Sequence, residues 1–182
     1  MPNRKPAHPA RPGPPGTPRV LDAGRVPAAG HDHAHCVADA LAAAEARCAQ
    51  QGAQLTPIRR RVLELVWSSH APIGAYDILA KLAAETGKVQ PPTVYRALDF
   101  LKAQGLIHRI ESRNAFVGCA QPGAAHAGQF LLCRACGDAA ELSADKALAA
   151  LERQAAALGY TIEQRTVEFE GLCPRCQPGR AP

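Results

Sequence analysis

This 182-residue chain has no apolar run of the length a membrane-spanning helix needs, so it is not read as an integral helical membrane protein. No apolar signal segment opens it. The expectation is therefore a reducing cytoplasm, where its seven cysteines stay thiols instead of pairing. It has no His-Glu-x-x-His metalloprotease motif. It has no His-x-Glu, and no proline directly before either of its two Cys-x-x-Cys pairs, so the zinc deaminase pattern is also missing. The chain is not read as an enzyme. Acidic residues are outnumbered, 16 Asp and Glu against 21 Lys and Arg, giving a net charge of +5 and a pI near 9.0. That balance permits a nucleic-acid partner without requiring one. The length fits one domain, or two small ones sharing an interface.

The strongest positive signal is the cysteine pairs themselves, Cys133-x-x-Cys136 and Cys173-x-x-Cys176, with Gly137 and Gly171 beside them. One such pair is compatible with redox chemistry. Two pairs suit a closed tetrahedral Zn(II) site, which takes soft thiolates at about 2.3 Å. The spacer between them is longer than in a compact zinc ribbon, so the site is read as stapling the base of a small domain.

Residues 1–35 form a Pro/Ala/Gly-rich tail, and half of the chain's 16 prolines fall in its first 30 residues. Such a segment buries too little surface to offset its ordering entropy and is read as disordered. It ends in His31-Asp32-His33-Ala34-His35-Cys36, a tract that could hold an extra metal ion or be ordinary tail sequence. Helical spacing then begins. Val37, Leu41, Ala44 and Cys48 predict a first helix, ended by Gly52. Thr56-Pro57 supplies an N-cap and a proline at the first helical position of a second, with Ile58, Val62, Leu65 and Val66 as its apolar stripe. Ile78, Leu79 and Leu82 mark a third, closed by Gly87. Val94, Leu98 and Leu101 give a fourth, entered through Pro91-Pro92 and ended by Gly105. Arg96 lies about 200° from Val94 around this helix and points away from the core. Two β-rich runs, 106–110 and 115–117, flank a turn at Ser112-Arg113-Asn114 and make a two-stranded wing. This order describes a winged helix-turn-helix. Its late helix can enter the major groove, where an arginine can pair with guanine.

His108 on the first wing strand, Cys119 after the second, His126 before the first cysteine pair and Glu141 after it offer two imidazoles, a thiolate and a carboxylate. That mixture suits tetrahedral Zn(II). Each alone has an ordinary reading as a strand, core or loop residue, and spacing leaves the joint site open.

Over residues 48–176 the chain resembles the ferric uptake regulator (Fur) family of bacterial metalloregulators, and within it the zinc-sensing branch. The segments that carry the likeness are Leu55-Thr56-Pro57-x-Arg59, Ala75-Tyr76-Asp77, Pro91-Pro92-Thr93-Val94-Tyr95-Arg96-Ala97-Leu98, Gly105-Leu106-Ile107-His108 and the two cysteine pairs. The resemblance leaves the N-terminal tail unexplained. It implies an α+β architecture, with a winged-helix domain over residues 36–120, a hinge over 121–127, an α/β dimerisation domain over 128–178 and a short tail over 179–182. In the dimerisation domain a helix would carry Leu148, Leu151, Ala155 and Leu158, followed by a strand over 160–169.

By the same resemblance Cys133, Cys136, Cys173 and Cys176 match a structural zinc site. His108, Cys119, His126 and Glu141 match a regulatory one, giving two Zn(II) per protomer. Tyr76 and Arg96 fall where operator bases are contacted, and Thr93 and Tyr95, just before Arg96 on the same helix, are read as DNA-binding with them. The stretch before the first pair, Ala125-His126-Ala127-Gly128-Gln129-Phe130, has one histidine where iron-sensing relatives carry a histidine and acid cluster. This favours Zn(II) over Fe(II) and disfavours a peroxide sensor. The function implied is a homodimeric, zinc-responsive repressor of zinc-uptake genes on an inverted-repeat operator. The alternatives are an iron or manganese sensor, or a DNA-binding protein with structural zinc only. His70 is given no role.

Overall fold

The computed structural model describes residues 33–122, 128–142 and 144–178. The tail up to residue 32, His126 and the residues around it lie outside these, as does the side chain of His33. Four helices build the first module: α1 (His33–Gln50), α2 (Pro57–Val66), α3 (Ala75–Thr86) and α4 (Pro91–Ala103). Their apolar stripes meet in one core. Leu41 and Ala44 of α1, Val62, Leu63 and Val66 of α2, Ile78 and Leu82 of α3, and Val94, Leu98 and Leu101 of α4 are all buried there. Each leucine so enclosed contributes about 1.5–3 kcal/mol of transfer free energy. Cys48 is buried beside this core. Pro57 occupies the first turn of α2 as expected, and Thr56 before it is extended, but the Thr56 side chain makes no capping bond. Gly52, Gly87 and Gly105 all have positive φ where helices end, a conformation glycine adopts without strain.

The wing hairpin joins β2 (Ile107–Ile110) to β3 (Ala115–Gly118), with Ile110 opposite Ala115 and Ile107 opposite Gly118. Its turn is a single 3-10 turn, Glu111–Arg113, closed by Asn114 in the left-handed region at φ 45°. A further strand, β1 (Ile73–Gly74), pairs with β3 and makes the wing a three-stranded sheet in the order β1-β3-β2. Periodicity gave no sign of β1, because two residues behind Pro72 are too few to show a pattern.

The second sheet contains β4 (Gln129–Cys133), β5 (Ala139–Glu141) and β6 (Val167–Gly171), with β4 central. β5 runs antiparallel to β4, while β6 runs parallel to it after the crossover helix α5 (Asp145–Ala157). Two expectations are corrected here. The strand expected over 160–169 is instead Val167–Gly171, because Gln129 to Cys133 offers a ladder only from Val167 to Gly171. Residues 160–166 precede the start of that ladder and take no strand conformation. The stripe expected on α5 is also only partly buried. Leu148 is enclosed, but Leu151 is exposed, and Leu158 lies beyond the helix at its C-cap with 77% of its surface accessible.

The two sheets share an apolar seam. Ile110 and Val117 of the wing pack with Phe130, Leu132 and Ala139 of the second sheet. The Ala139 N–H also donates to the His70 carbonyl at 3.0 Å.

Candidate metal centres and nucleic-acid face

The four knuckle cysteines converge. Ligand atoms of Cys133, Cys136, Cys173 and Cys176 all lie within 4.8 Å of one another. The convergence follows from the sheet: Cys133 ends β4, Gly171 ends β6, and the two pair directly, so the loops that follow leave the same end. Gly137 at φ 81° lets the first knuckle turn back, with its N–H bonded to the Cys133 carbonyl. Cys176 N–H to Cys173 carbonyl, at 2.9 Å, closes the second. Arg175 reaches Asp138 across the two knuckles. The Cys173 N–H points at the Cys133 sulfur at 3.4 Å. That bond, followed by the one from the Cys136 backbone, draws the Cys133 thiol down to about 6. The Cys176 thiol is pushed up to about 12, chiefly by its bond with Cys173, with burial and the other two knuckle sulfurs adding to it. Four thiolates in one place cannot all ionise unless a cation shares it, which is the donor chemistry a Zn(II) ion satisfies.

The second cluster joins the modules. His108, Cys119 and Glu141 offer ligand atoms within 4.8 Å of one another. His108 comes from β2, and Cys119 follows β3, held by its N–H bond to the Leu106 carbonyl at 3.0 Å. Glu141 ends β5 on the other sheet. Its carboxylate lies 3.3 Å from His108 Nε2 with one oxygen and accepts the Ala120 N–H at 3.2 Å with the other. Burial, and then the Glu141 charge, push the Cys119 thiol up to about 12. It therefore stays protonated until a metal displaces the proton. An imidazole, a thiol and a carboxylate suit Zn(II). His126, the fourth expected ligand, lies outside the described residues. In the His31–Cys36 tract, His31 is also outside them, His35 is exposed and Cys36 is half-buried.

Two glycines shape this site, Gly118 and Gly128. A Cβ on Gly118 would run into the Trp67 ring, so the chain's one tryptophan lies against the backbone beside Cys119. A Cβ on Gly128 would meet the Phe130 ring at 2.5 Å and His108 Nδ1 at 2.9 Å. Phe130 in turn lies 5.4 Å from His108, ring centre to ring centre. A glycine adjacent to each expected ligand segment was the available signal.

The expected DNA face is open. Tyr76, near the start of α3, is 72% exposed, and Thr93, Tyr95 and Arg96 are exposed on α4. The arginines of α2 are engaged within the chain: Arg59 stacks on Phe100, Arg60 pairs with Glu45, and Arg61 bridges Glu64 and Glu85.

The chain is 40% identical over 139 residues to the zinc uptake regulation protein of Escherichia coli (strain K12), covering 75% of this chain and 80% of that one. A zinc uptake regulator solved in complex with zinc and DNA superposes with a TM-score of 0.73 at 38% identity, over 77% of this chain and 94% of the other. The crystal structure of holo XcZur gives 0.68 at 44% identity, over 75% and 95%. The family model described as the ferric uptake regulator family matches residues 50–170. By fold, by the disposition of its cysteine pairs and by these matches, the chain belongs to the ferric uptake regulator family.

Proposed function

We propose that this protein is a zinc-responsive transcriptional repressor that binds an inverted-repeat operator as a homodimer and silences zinc-uptake genes. One observation carries the reading: His108 and Cys119 of the wing meet Glu141 of the second sheet in one cluster, in a chain 40% identical to a zinc uptake regulation protein. With His126 as the fourth ligand, a bound Zn(II) would tie the winged helix to the second sheet. The four knuckle cysteines would hold a second, structural Zn(II), making two per protomer. Tyr76, Thr93, Tyr95 and Arg96 would meet the operator, with Arg96 reading a base in the major groove. We further read residues 36–120 as the DNA-binding domain, 121–127 as its hinge and 128–178 as the dimerisation domain, in a cell compartment that keeps thiols reduced.

The apolar groups left outside the core support the dimer. Leu151, Leu158, Tyr160, Ile162 and Phe169 are all exposed on the second module. Together they are the kind of surface an obligate homodimer covers. A two-fold dimer presents two recognition helices about one helical turn apart, matching an inverted repeat. Zinc and operator are linked: each tightens the other by the same factor. The soft thiol of Cys119 disfavours the iron- or manganese-sensing alternative.

The test is an operator titration at fixed salt against free Zn(II), Fe(II) and Mn(II), since phosphate contacts make affinity steeply salt-dependent. Zinc should tighten operator binding at the lowest free metal. Equal affinity with and without exchangeable metal would leave a DNA-binding protein with structural zinc only.

A further inference from the structure

The wing touches the second sheet at a place the metal cluster does not explain. The N–H groups of Glu111 and Ser112 open the 3-10 turn at the wing tip, where a helical turn cannot satisfy its own donors. Both point at one carboxylate, with Glu111 N 2.6 Å and Ser112 N 3.2 Å from the two oxygens of Glu168. The same turn sends Arg113 to the first knuckle. Its guanidinium donates to the Gly137 carbonyl at 3.0 Å, reaches the Cys133 carbonyl at 3.5 Å and lies 3.8 Å from Glu170. Burial alone would raise the Glu168 carboxyl. The Ser112 hydroxyl, the two backbone N–H groups and the Arg113 charge outweigh it and hold the group below its ordinary value.

The register explains why this matters. Glu141, Phe130 and Glu168 are directly opposite one another across β5, β4 and β6. Side chains in such a row share a face of the sheet and repeat about every 4.8 Å. Along this row Glu141 meets His108, the Phe130 ring lies tilted against that of His108, and Glu168 meets the wing turn. The hairpin they grip has His108 and Cys119 toward one end and Glu111 and Ser112 at the other, with the seam residues Val117 opposite His108 and Ile110 beside the turn. One row of the second sheet therefore holds the hairpin twice, once through the metal ligands and once through groups that need no metal.

We propose that Glu168 and Arg113 are positioning residues that latch the wing turn to the second sheet in the absence of regulatory zinc, so that His108 and Cys119 already face Glu141 when the ion arrives. This rests on the repressor reading given above. The apparent affinity of a ligand equals its intrinsic affinity scaled by the fraction of protein in the competent pose. Releasing the latch lowers that fraction, so zinc must do more of the work. Saturating zinc restores the pose, and operator affinity at saturating zinc should be nearly unchanged. General destabilisation would instead lower both.

The experiment uses the full-length dimer with its structural zinc retained, as wild type, Glu168→Ala and Arg113→Ala. Hydrogen exchange with the regulatory site empty reads the latch directly. Protection is expected at the Glu111 and Ser112 amides of wild type and should be lost in Glu168→Ala. Chelator competition then reads the regulatory zinc, with affinity expected to fall roughly tenfold in each variant, within the usual range of coupling between sites. Operator affinity at saturating zinc should stay within about twofold of wild type, a change too small to signal a lost contact. The proposal is overturned if the wild-type amides exchange freely. It is equally overturned if the folded variants bind zinc like wild type, or if saturating zinc fails to rescue operator binding. If Glu168→Ala does not fold, Arg113→Ala carries the same two readouts. A wild type whose operator binding ignores zinc would refute the repressor reading, while the exchange measurement would still decide the latch.

Discussion

The two cysteine-bearing clusters differ in where their ligands come from. The knuckle cluster is local. Its four sulfurs leave one end of one sheet, from loops after β4 and β6. Cys133 is drawn toward its thiolate form by the backbone N–H groups of Cys173 and Cys136. The second cluster is divided between modules, and its Cys119 is buried and held as a neutral thiol beside the Glu141 charge. A metal in the first place stabilises a fold. On the proposed reading, a metal in the second would displace a proton and fix a pose between two bodies, so part of its binding free energy would be consumed and the ion would exchange more readily. The contrast separates a staple from a switch.

The largest expected effect breaks the staple. Cys133→Ser should yield unfolded or monomeric protein in sedimentation and circular dichroism, because structural zinc contributes an apparent ~10–16 kcal/mol in comparable small sites. A stable dimer from this variant would remove the structural role. Next comes the switch: Cys119→Ser should remain a folded dimer but lose zinc-dependent operator binding, with regulatory zinc weakened by more than about tenfold. An unchanged zinc response would show that Cys119 does not belong to the sensor.

How far the contrast could be read from the sequence follows the same division. The knuckles are legible because each pair is fixed by local spacing, and the helices because their stripes repeat within a few residues. The strand at Val167–Gly171 was only approximately legible. Tyr160 and Ile162 have strand-forming side chains, but β4 is too short to pair with them, and ladder length is not written locally. The seam of Ile110, Val117, Phe130, Leu132 and Ala139, the row of Glu141, Phe130 and Glu168, and the contact of Trp67 on Gly118 depend on register between distant segments. Apart from the glycine at 118, nothing at any one of these positions announces them.

Three smaller effects sharpen the comparison from the side of the reading head, the hairpin and the second sheet. Arg96→Ala should cost about 1–3 kcal/mol at the operator and relax base preference there, checked by binding to operator variants. A uniform loss on all sequences would make Arg96 a phosphate contact. Gly118→Ala must displace the Trp67 ring. It should lower stability by about 1–3 kcal/mol in denaturant melts and perturb Trp67 emission, the single indole signal in the chain. Gly171→Ala has no atom within 4 Å of the added carbon. It should change stability by no more than about 0.5 kcal/mol.

On the proposed reading a zinc ion joins the wing to the second sheet when the protein holds DNA. An anomalous difference map at the zinc edge, from crystals of the operator complex, tests it most directly. Two peaks per protomer are expected, one among the four knuckle sulfurs and one bounded by His108, Cys119 and Glu141. Zinc among the knuckles alone, in a complex that still required added zinc to form, would contradict it.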